Sequence, residues 1–216
     1  MTSIKTKDVA KCPQCHRESP LDTWTTIDGQ QDPALRDKIF DGSLFAWQCE
    51  YCKKKIGVLH NLLYVDHVNR FVVVLDRKNK EKWVAIENWP DIEKGEYDHL
   101  RITNSFLGLC EKIICFENGL DDRALELFKL LLISQMEEDE VDYFVCEGED
   151  DSGLLMRAWK DGKQLGLFAA PPDLYQQMEE QMENDPIKNS ADSLERIDQQ
   201  WAMEFMRAKF GQAKSS

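Results

Sequence analysis

Four cysteines carry the clearest chemistry in this sequence. They fall in two pairs, Cys12-Pro13-Gln14-Cys15 and Cys49-Glu50-Tyr51-Cys52. A two-residue spacer lets both sulfurs of a pair point into one tight turn. Two such turns facing each other supply four thiolates, the donor set of a tetrahedral metal site, zinc above all. Four protein ligands close the tetrahedron and leave no position for water or substrate, so the pattern points to a structural ion. Cys12, Cys15, Cys49 and Cys52 are therefore the candidate metal ligands and Zn2+ the expected cofactor. No catalytic residue is assigned and no enzyme activity is expected.

Two other uses of such pairs compete with this reading. A redox dithiol, or a switch that releases zinc on oxidation, also uses Cys-x-x-Cys. Thioredoxin-type pairs follow an apolar strand and open a helix. Here the first pair follows Val9-Ala10-Lys11 and the second runs into Lys53-Lys54-Lys55, so neither context fits. Zinc ribbons also bind nucleic acid, and Trp24, Trp47, Tyr64 and Trp83 offer stacking surfaces. The electrostatics oppose it, because the chain carries a net charge of -13 and nucleic-acid binders present a basic face.

That charge is uneven. Residues 1–104 are neutral, with 16 basic and 16 acidic side chains, whereas residues 105–216 hold 11 Lys and Arg against 24 Asp and Glu. The acidic half repels phosphate backbones and membrane surfaces and suits a solvated surface or a basic partner. No run approaches the length of a membrane span, and Met1–Asp8 lacks the apolar centre of a secretory signal. Seven cysteines outside a secretory context imply a reducing compartment, the cytoplasm.

The elements that must position the cysteines follow from pattern. Thr23–Ile27 is rich in β formers and reads as a strand. Asp32-Pro33 opens a short helix, Pro33–Phe40, with Asp32 at the N-cap and Asp41-Gly42 as its stop. Ser43–Gln48 reads as the strand that delivers the second pair. The 33 residues between Cys15 and Cys49 are no obstacle. Doubling a closed loop costs about 0.6 kcal/mol, against about 10–16 kcal/mol for structural zinc in small peptides. Lys53–Lys55 are read as counter-charge to four thiolates on a divalent ion.

Further along, Ile56–Val65, Phe71–Leu75 and His99–Thr103 read as strands, and Trp83–Trp89 is an apolar stretch of undecided type before Pro90. Phe106, Leu109, Cys110, Ile113 and Ile114 recur at helical spacing up to Gly119. Asp121 or Asp122 caps a second helix running to about Met136, with Ala124, Leu127, Phe128, Leu131 and Gln135 on its face, widened by Leu125 and Leu132. This helical hairpin ends before the acidic run Glu137–Glu140. Val141–Cys146 reads as a strand. Leu154–Trp159, Asp161-Gly162 and Lys163–Ala169 give the strongest hairpin signal of the chain. Pro171-Pro172-Asp173 starts another helix. Ser190 or Asp192 caps a last one, to about Phe210, striped by Leu194, Ile197, Trp201, Phe205 and Ala208. His60, His67 and His99 read as turn or packing residues, and Cys110, Cys115 and Cys146 as buried thiols.

The order of these features resembles the CpXC domain family of prokaryotic proteins. The matching pieces are Cys12-Pro13-Gln14-Cys15, Asp32-Pro33-x-Leu35 with Asp41-Gly42, the pair Cys49/Cys52, Leu62-Leu63-Tyr64-Val65-Asp66, Leu100-Arg101-Ile102, Glu111-Lys112-Ile113 and Glu117-x-Gly119-Leu120-Asp121-Asp122. The resemblance spans roughly residues 5–135 and implies a zinc-binding domain, with no catalytic residues to carry over. The chain departs from the family at Glu50, where Pro is favoured. His16 and Lys53 stand where many zinc knuckles place Gly, at a position favouring positive φ. A side chain there costs about 1 kcal/mol.

The resulting expectation is an α+β protein. A zinc-ribbon-like, β-rich part with antiparallel strands occupies residues 1–104. An acidic helical part, residues 105–216, carries a helical hairpin, a β-hairpin (141–169) and C-terminal helices. The expected action is interaction with a protein partner through the acidic half.

Overall fold

The computed structural model describes residues 2–77, 96–137, 140–184 and 193–210. The mixture of helices and sheets makes the chain α+β. It divides into two compact units, Met1–Cys110 with Ser190–Leu194, and Glu111–Asn189 with Glu195–Ser216.

The first unit is built on a five-stranded sheet. Its strands are β1 (Ile4–Lys11), β2 (Glu18–Asp28), β5 (Leu62–Asp66), β6 (Phe71–Leu75) and β7 (His99–Thr103), in the order β1-β2-β5-β6-β7. β1 with β2 and β5 with β6 pair antiparallel, whereas β2 with β5 and β6 with β7 pair parallel, so the sheet is mixed. The reason lies in the chain between β2 and β5. It carries a helix, α1 (Pro33–Phe40), and a separate two-stranded ribbon, β3 (Ala46–Gln48) with β4 (Lys55–Gly57). A detour of that length returns the chain to the same end of the sheet, as a parallel crossover requires. All five residues of β5 and of β6 are buried. Strands covered on both faces read as continuous apolar runs instead of alternating ones. On one face Leu63, Val65, Val72, Val74, Tyr97, Leu100 and Leu194 form a cluster. At the end of β2, a Cβ on Gly29 would overlap the Tyr64 hydroxyl, so only glycine lets the chain pass there.

Three local expectations change. Only Ala46–Gln48 of the predicted strand Ser43–Gln48 is extended, and Ser43–Phe45 forms a 3-10 turn. The predicted strand Ile56–Val65 is two strands, because Val58 donates to the Phe45 carbonyl (2.7 Å) and the chain then leaves the ribbon for the main sheet. The His60 ring fixes that crossing, with Nδ1 on the Val58 carbonyl (3.2 Å) and Nε2 on the Trp24 carbonyl (3.1 Å). Asp32 occupies the N-cap position of α1, but its side chain makes no capping hydrogen bond. Asp28 organises the lead-in, accepting from the backbone N–H groups of Gln30 and Gln31 (3.0 Å each). The Trp83–Trp89 stretch lies outside the described residues.

α2 (Phe106–Glu117) is followed by the second unit's α3 (Asp122–Ser134), a three-stranded antiparallel meander of β8 (Tyr143–Asp150), β9 (Gly153–Lys160) and β10 (Lys163–Ala170), then α4 (Pro172–Glu183) and α5 (Gln199–Phe210). The β9–β10 turn has positive φ at both Asp161 (49°) and Gly162 (70°), which a two-residue primed turn demands. Asp121 is the N-cap of α3, accepting from Arg123 N (2.8 Å) and Ala124 N (3.4 Å). α3 ends at Ser134, before the acidic run. α5 begins later than expected. Ser190 and Asp192 lie outside the described residues, and Asp198 supplies the cap, its Oδ1 accepting from Trp201 N (3.0 Å). Leu194 and Ile197 are buried ahead of the helix, so the expected stripe is not one helical face.

The first two turns of α3 are buried all round, including Asp122, Arg123, Glu126 and Lys129. A hydrophobic face alone does not anticipate this. Lys129 Nζ bonds Glu111 (2.9 and 3.0 Å) and Glu126 (2.8 Å), and Lys112 pairs with Asp122 (2.7 Å). Glu111 also accepts from Cys146 N on β8 (2.7 Å). Burial alone would lower the Lys129 pKa, yet the carboxylates of Glu111 and Glu126 hold it above the ordinary lysine value. Breaking one partner of such a network leaves a buried charge uncompensated. Lys129→Ala is therefore expected to destabilise the second unit by about 3–5 kcal/mol in urea unfolding. Arg157→Ala, at the more exposed pair with Glu147, is expected to cost less than about 1 kcal/mol. Equal costs for the two would contradict the network's role.

Candidate metal centre

Each cysteine pair sits at the end of a two-stranded antiparallel ribbon. Lys11 and Glu18 form the last pair of β1 and β2, and Cys12–Arg17 make the turn. Gln48 and Lys55 form the last pair of β3 and β4, and Cys49–Lys54 make the turn. The two turns repeat one hydrogen-bond pattern. Cys12 N donates to the Arg17 carbonyl (2.9 Å) and His16 N to the Cys12 carbonyl (2.9 Å). Cys49 N donates to the Lys54 carbonyl (3.0 Å) and Lys53 N to the Cys49 carbonyl (3.0 Å). His16 and Lys53 both have φ of 59°, the left-handed conformation expected at those positions.

The turns bring the four sulfurs together. Cys12 Sγ lies 3.6 Å from Cys52 Sγ, and Cys15 Sγ lies 3.6 Å from Cys49 Sγ. All four ligand atoms lie within 4.8 Å of one another. All seven cysteines of the chain are free thiols. Cys12 and Cys49 are fully buried, while Cys15 and Cys52 are half-buried. A cluster of four sulfurs at these separations can hold a metal ion.

Backbone dipoles tune these thiols. The N–H groups of Cys52 and Tyr51 point at the Cys49 sulfur and pull its pKa down to about 6, against the opposing effect of burial. The N–H groups of Cys15 and Gln14 lower that of Cys12. Cys52 has the Lys54 N–H beside it, yet burial and the neighbouring thiols push it up to about 11. The first cysteine of each turn is thus prepared to ionise, as a metal ligand must be.

Several supporting residues carry no signal in the motif itself. Trp47 packs with Cys12, Leu21 and Cys49 in a small core, and its Nε1 donates to the Pro20 carbonyl (2.8 Å). Gln48 Nε2 donates to the Lys53 carbonyl and braces the second turn (2.9 Å). Glu50 N reaches Ser19 Oγ (3.5 Å), and Arg17 lies over the Tyr51 ring, 5.0 Å from its centroid. The first of these last two contacts joins the second turn to β2, and the other joins the two turns. A tryptophan two residues before Cys49, on a strand alternating exposed and buried, is the one usable sequence hint. Lys53–Lys55 are exposed and make no ion pair among the described residues; the backbone of Lys53 and Lys54 carries the turn, and Lys55 opens β4.

The remaining candidates sit elsewhere. His67 lies between the buried Asp28 carboxylate (Nε2, 3.2 Å) and the Tyr97 hydroxyl (Nδ1, 2.8 Å), joining the ends of strands. Cys110 and Cys146 are buried, and burial raises both pKa values to about 12. Cys115 is likewise buried and raised, its Sγ donating to the Leu120 carbonyl (3.4 Å). None of these three thiols is prepared for nucleophilic work.

No curated protein and no solved structure matches this chain. The CpXC protein family model matches residues 10–129, a segment that holds both turns and the five-stranded sheet from the end of β1 onward. With more than half of its length matched and all four cysteines within that segment, the chain belongs to the CpXC family.

Proposed function

We propose that Cys12, Cys15, Cys49 and Cys52 hold one structural zinc ion that clasps two β-ribbons of a cytoplasmic, non-enzymatic protein acting by contact with a protein partner. The convergence of four sulfurs from two matching turns carries this reading. Zinc–thiolate bonds of about 2.3 Å in a tetrahedron imply sulfur separations of about 3.8 Å, close to the observed 3.6 Å contacts. Four thiolates suit zinc because it is borderline-soft, has no preferred geometry to enforce and does no redox chemistry. Closed coordination gives it a folding role instead of a catalytic one. The acidic surplus of residues 105–216 favours a protein partner over nucleic acid.

The two Cys-x-x-Cys pairs, brought together as free thiols, also support a second reading, in which oxidation of the pairs releases the ion and loosens the clasp. The two readings separate by what oxidant does. A structural clasp keeps its metal under mild peroxide, whereas a switch loses it and regains it with reductant.

Metal analysis of the purified protein is expected to find one zinc per chain, and Cys12→Ser with Cys49→Ser to abolish it and to unfold the first unit. Protein free of zinc, with all four thiols titratable and the melting curve unchanged by chelator, would sink the clasp. The strained turns give a finer test. His16→Gly and Lys53→Gly each remove a side chain from a left-handed position and are expected to raise stability of the zinc-bound protein by about 1 kcal/mol. Urea unfolding measures it, and a loss in both variants would refute the strain.

A further inference from the structure

β1 is an edge strand of the five-stranded sheet, paired on one side only, with β2. Seven of its eight residues are exposed. Its partners show which way its backbone points. Across from Val9 stands Pro20, which has no N–H and whose carbonyl accepts from Trp47 Nε1 (2.8 Å). Across from Lys5 stands Trp24, whose carbonyl lies 3.1 Å from His60 Nε2. These carbonyls are turned away from β1, so the odd-numbered residues of β1 exchange no bonds with β2. By the alternation of an antiparallel ladder, the even-numbered ones do. Lys5, Lys7, Val9 and Lys11 thus turn their N–H and C=O groups outward. The Val9 N–H is met locally by Asp8 Oδ1 (2.7 Å). Among the described residues no strand takes up this edge.

The same four residues put their side chains on one face, in the order Lys-x-Lys-x-Val-x-Lys. Lys5 is committed to Asp22 (2.6 Å) and to the Trp24 ring. Lys7 and Lys11 make no ion pair among the described residues, although Asp22 and Glu18 stand across from them. Val9, between these two lysines, is 59% exposed. An edge of outward amides is a template for another strand, and lysines on it guard against unwanted pairing. An exposed valine between them does not serve that end. It suits a strand that sets a carboxylate across from Lys7 and Lys11 and an apolar side chain across from Val9. That pattern, acid-x-apolar-x-acid, reads the same in either direction. A second copy of β1 is a poor occupant, because antiparallel self-pairing over most of these residues sets lysine against lysine. A nucleic acid would meet the lysines but offers the edge no amide ladder.

We propose that the outer edge of β1 adds an extended acidic segment of a partner protein as a further strand, with acid-x-apolar-x-acid against Lys7, Val9 and Lys11. The proposal rests on the reading that the chain acts through protein contact, and it places that contact on the first unit. It is independent of the identity of the metal.

The test uses the full-length protein, with zinc content measured in each sample because Lys11 adjoins Cys12. The probe is a labelled peptide in which threonine alternates with glutamate, valine and glutamate. One control carries lysine for glutamate. Two others carry N-methyl groups, each on one alternate set of amides, since a strand offers only one set to its neighbour. Fluorescence anisotropy is expected to show saturable binding of one peptide per chain. The lysine peptide and one methylated peptide are expected to bind at least tenfold more weakly, and the other methylated peptide to bind like the parent. Lys7→Thr with Lys11→Thr, both at exposed positions, is expected to lose about tenfold in affinity at an unchanged melting temperature. In the unsubstituted protein, hydrogen exchange at the outward amides of Lys5, Lys7 and Lys11 is expected to slow on binding. Equal binding of the two methylated peptides, preference for the lysine peptide, displacement of the peptide by a single-stranded oligonucleotide, or slowed exchange that spares β1 would each overturn the proposal. Absence of binding by protein that carries its full zinc would overturn strand addition and leave both the clasp and protein contact through another surface standing.

Discussion

Four sulfurs within 4.8 Å of one another constrain everything around them in the first unit. They come from two turns separated by 33 residues of chain, so both ribbons must end at the same point in space. The Trp47–Leu21 packing and the Ser19 and Arg17 contacts bring the ribbons to that point before any ion is considered. Thiolates this close repel one another, so they cannot all ionise without a cation. The backbone N–H groups aimed at Cys12 and Cys49 lower the cost of ionising one sulfur per turn. The two matching turns thus solve the same problem twice: each offers a prepared first sulfur and a second, more exposed one.

The second unit answers a different constraint. Its central helix, α3, is surrounded on all sides in its first two turns, so its charged residues have no water to reach. They are matched internally, with Lys129 held by Glu111 and Glu126 and Lys112 by Asp122. Replacement of such networks by apolar residues is often neutral or stabilising, so their value lies less in net stability than in what they specify. Glu111 reaches both Lys129 on α3 and the backbone of β8. A polar tie of that kind permits one register of helix against sheet, where apolar contacts tolerate several. Further along α3 the burial becomes one-sided, and Leu130 and Leu131 turn to a groove shared with α4 and α5.

Much of the site and part of the fold are legible from residue pattern. The cysteine spacing names the four ligands. Positions following each pair announce their left-handed backbone through the turn they must close, and His16 and Lys53 adopt it. Pro33 with Asp41-Gly42 brackets α1, and Asp161-Gly162 marks the β9–β10 turn. Other features are not legible because they are set by distant partners. The break between β4 and β5 depends on Phe45 and Trp24 carbonyls, far from it in sequence. The start of α5 depends on where Leu194 and Ile197 find cover.

What the sequence by itself determines is local: which atoms can ligate, where turns close, and which segments carry helical or strand periodicity. Spacing of two residues and dihedral preference are properties of neighbouring residues, and no tertiary contact is needed to read them. Only the tertiary structure decides that β2 and β5 run parallel, that Glu111 and Lys129 meet in a dry interior, and that three helices leave a methionine-lined groove open. The reason is physical. A hydrophobic pattern fixes that a side chain is covered but not by what, and a charged residue looks the same in sequence whether water or a buried partner satisfies it.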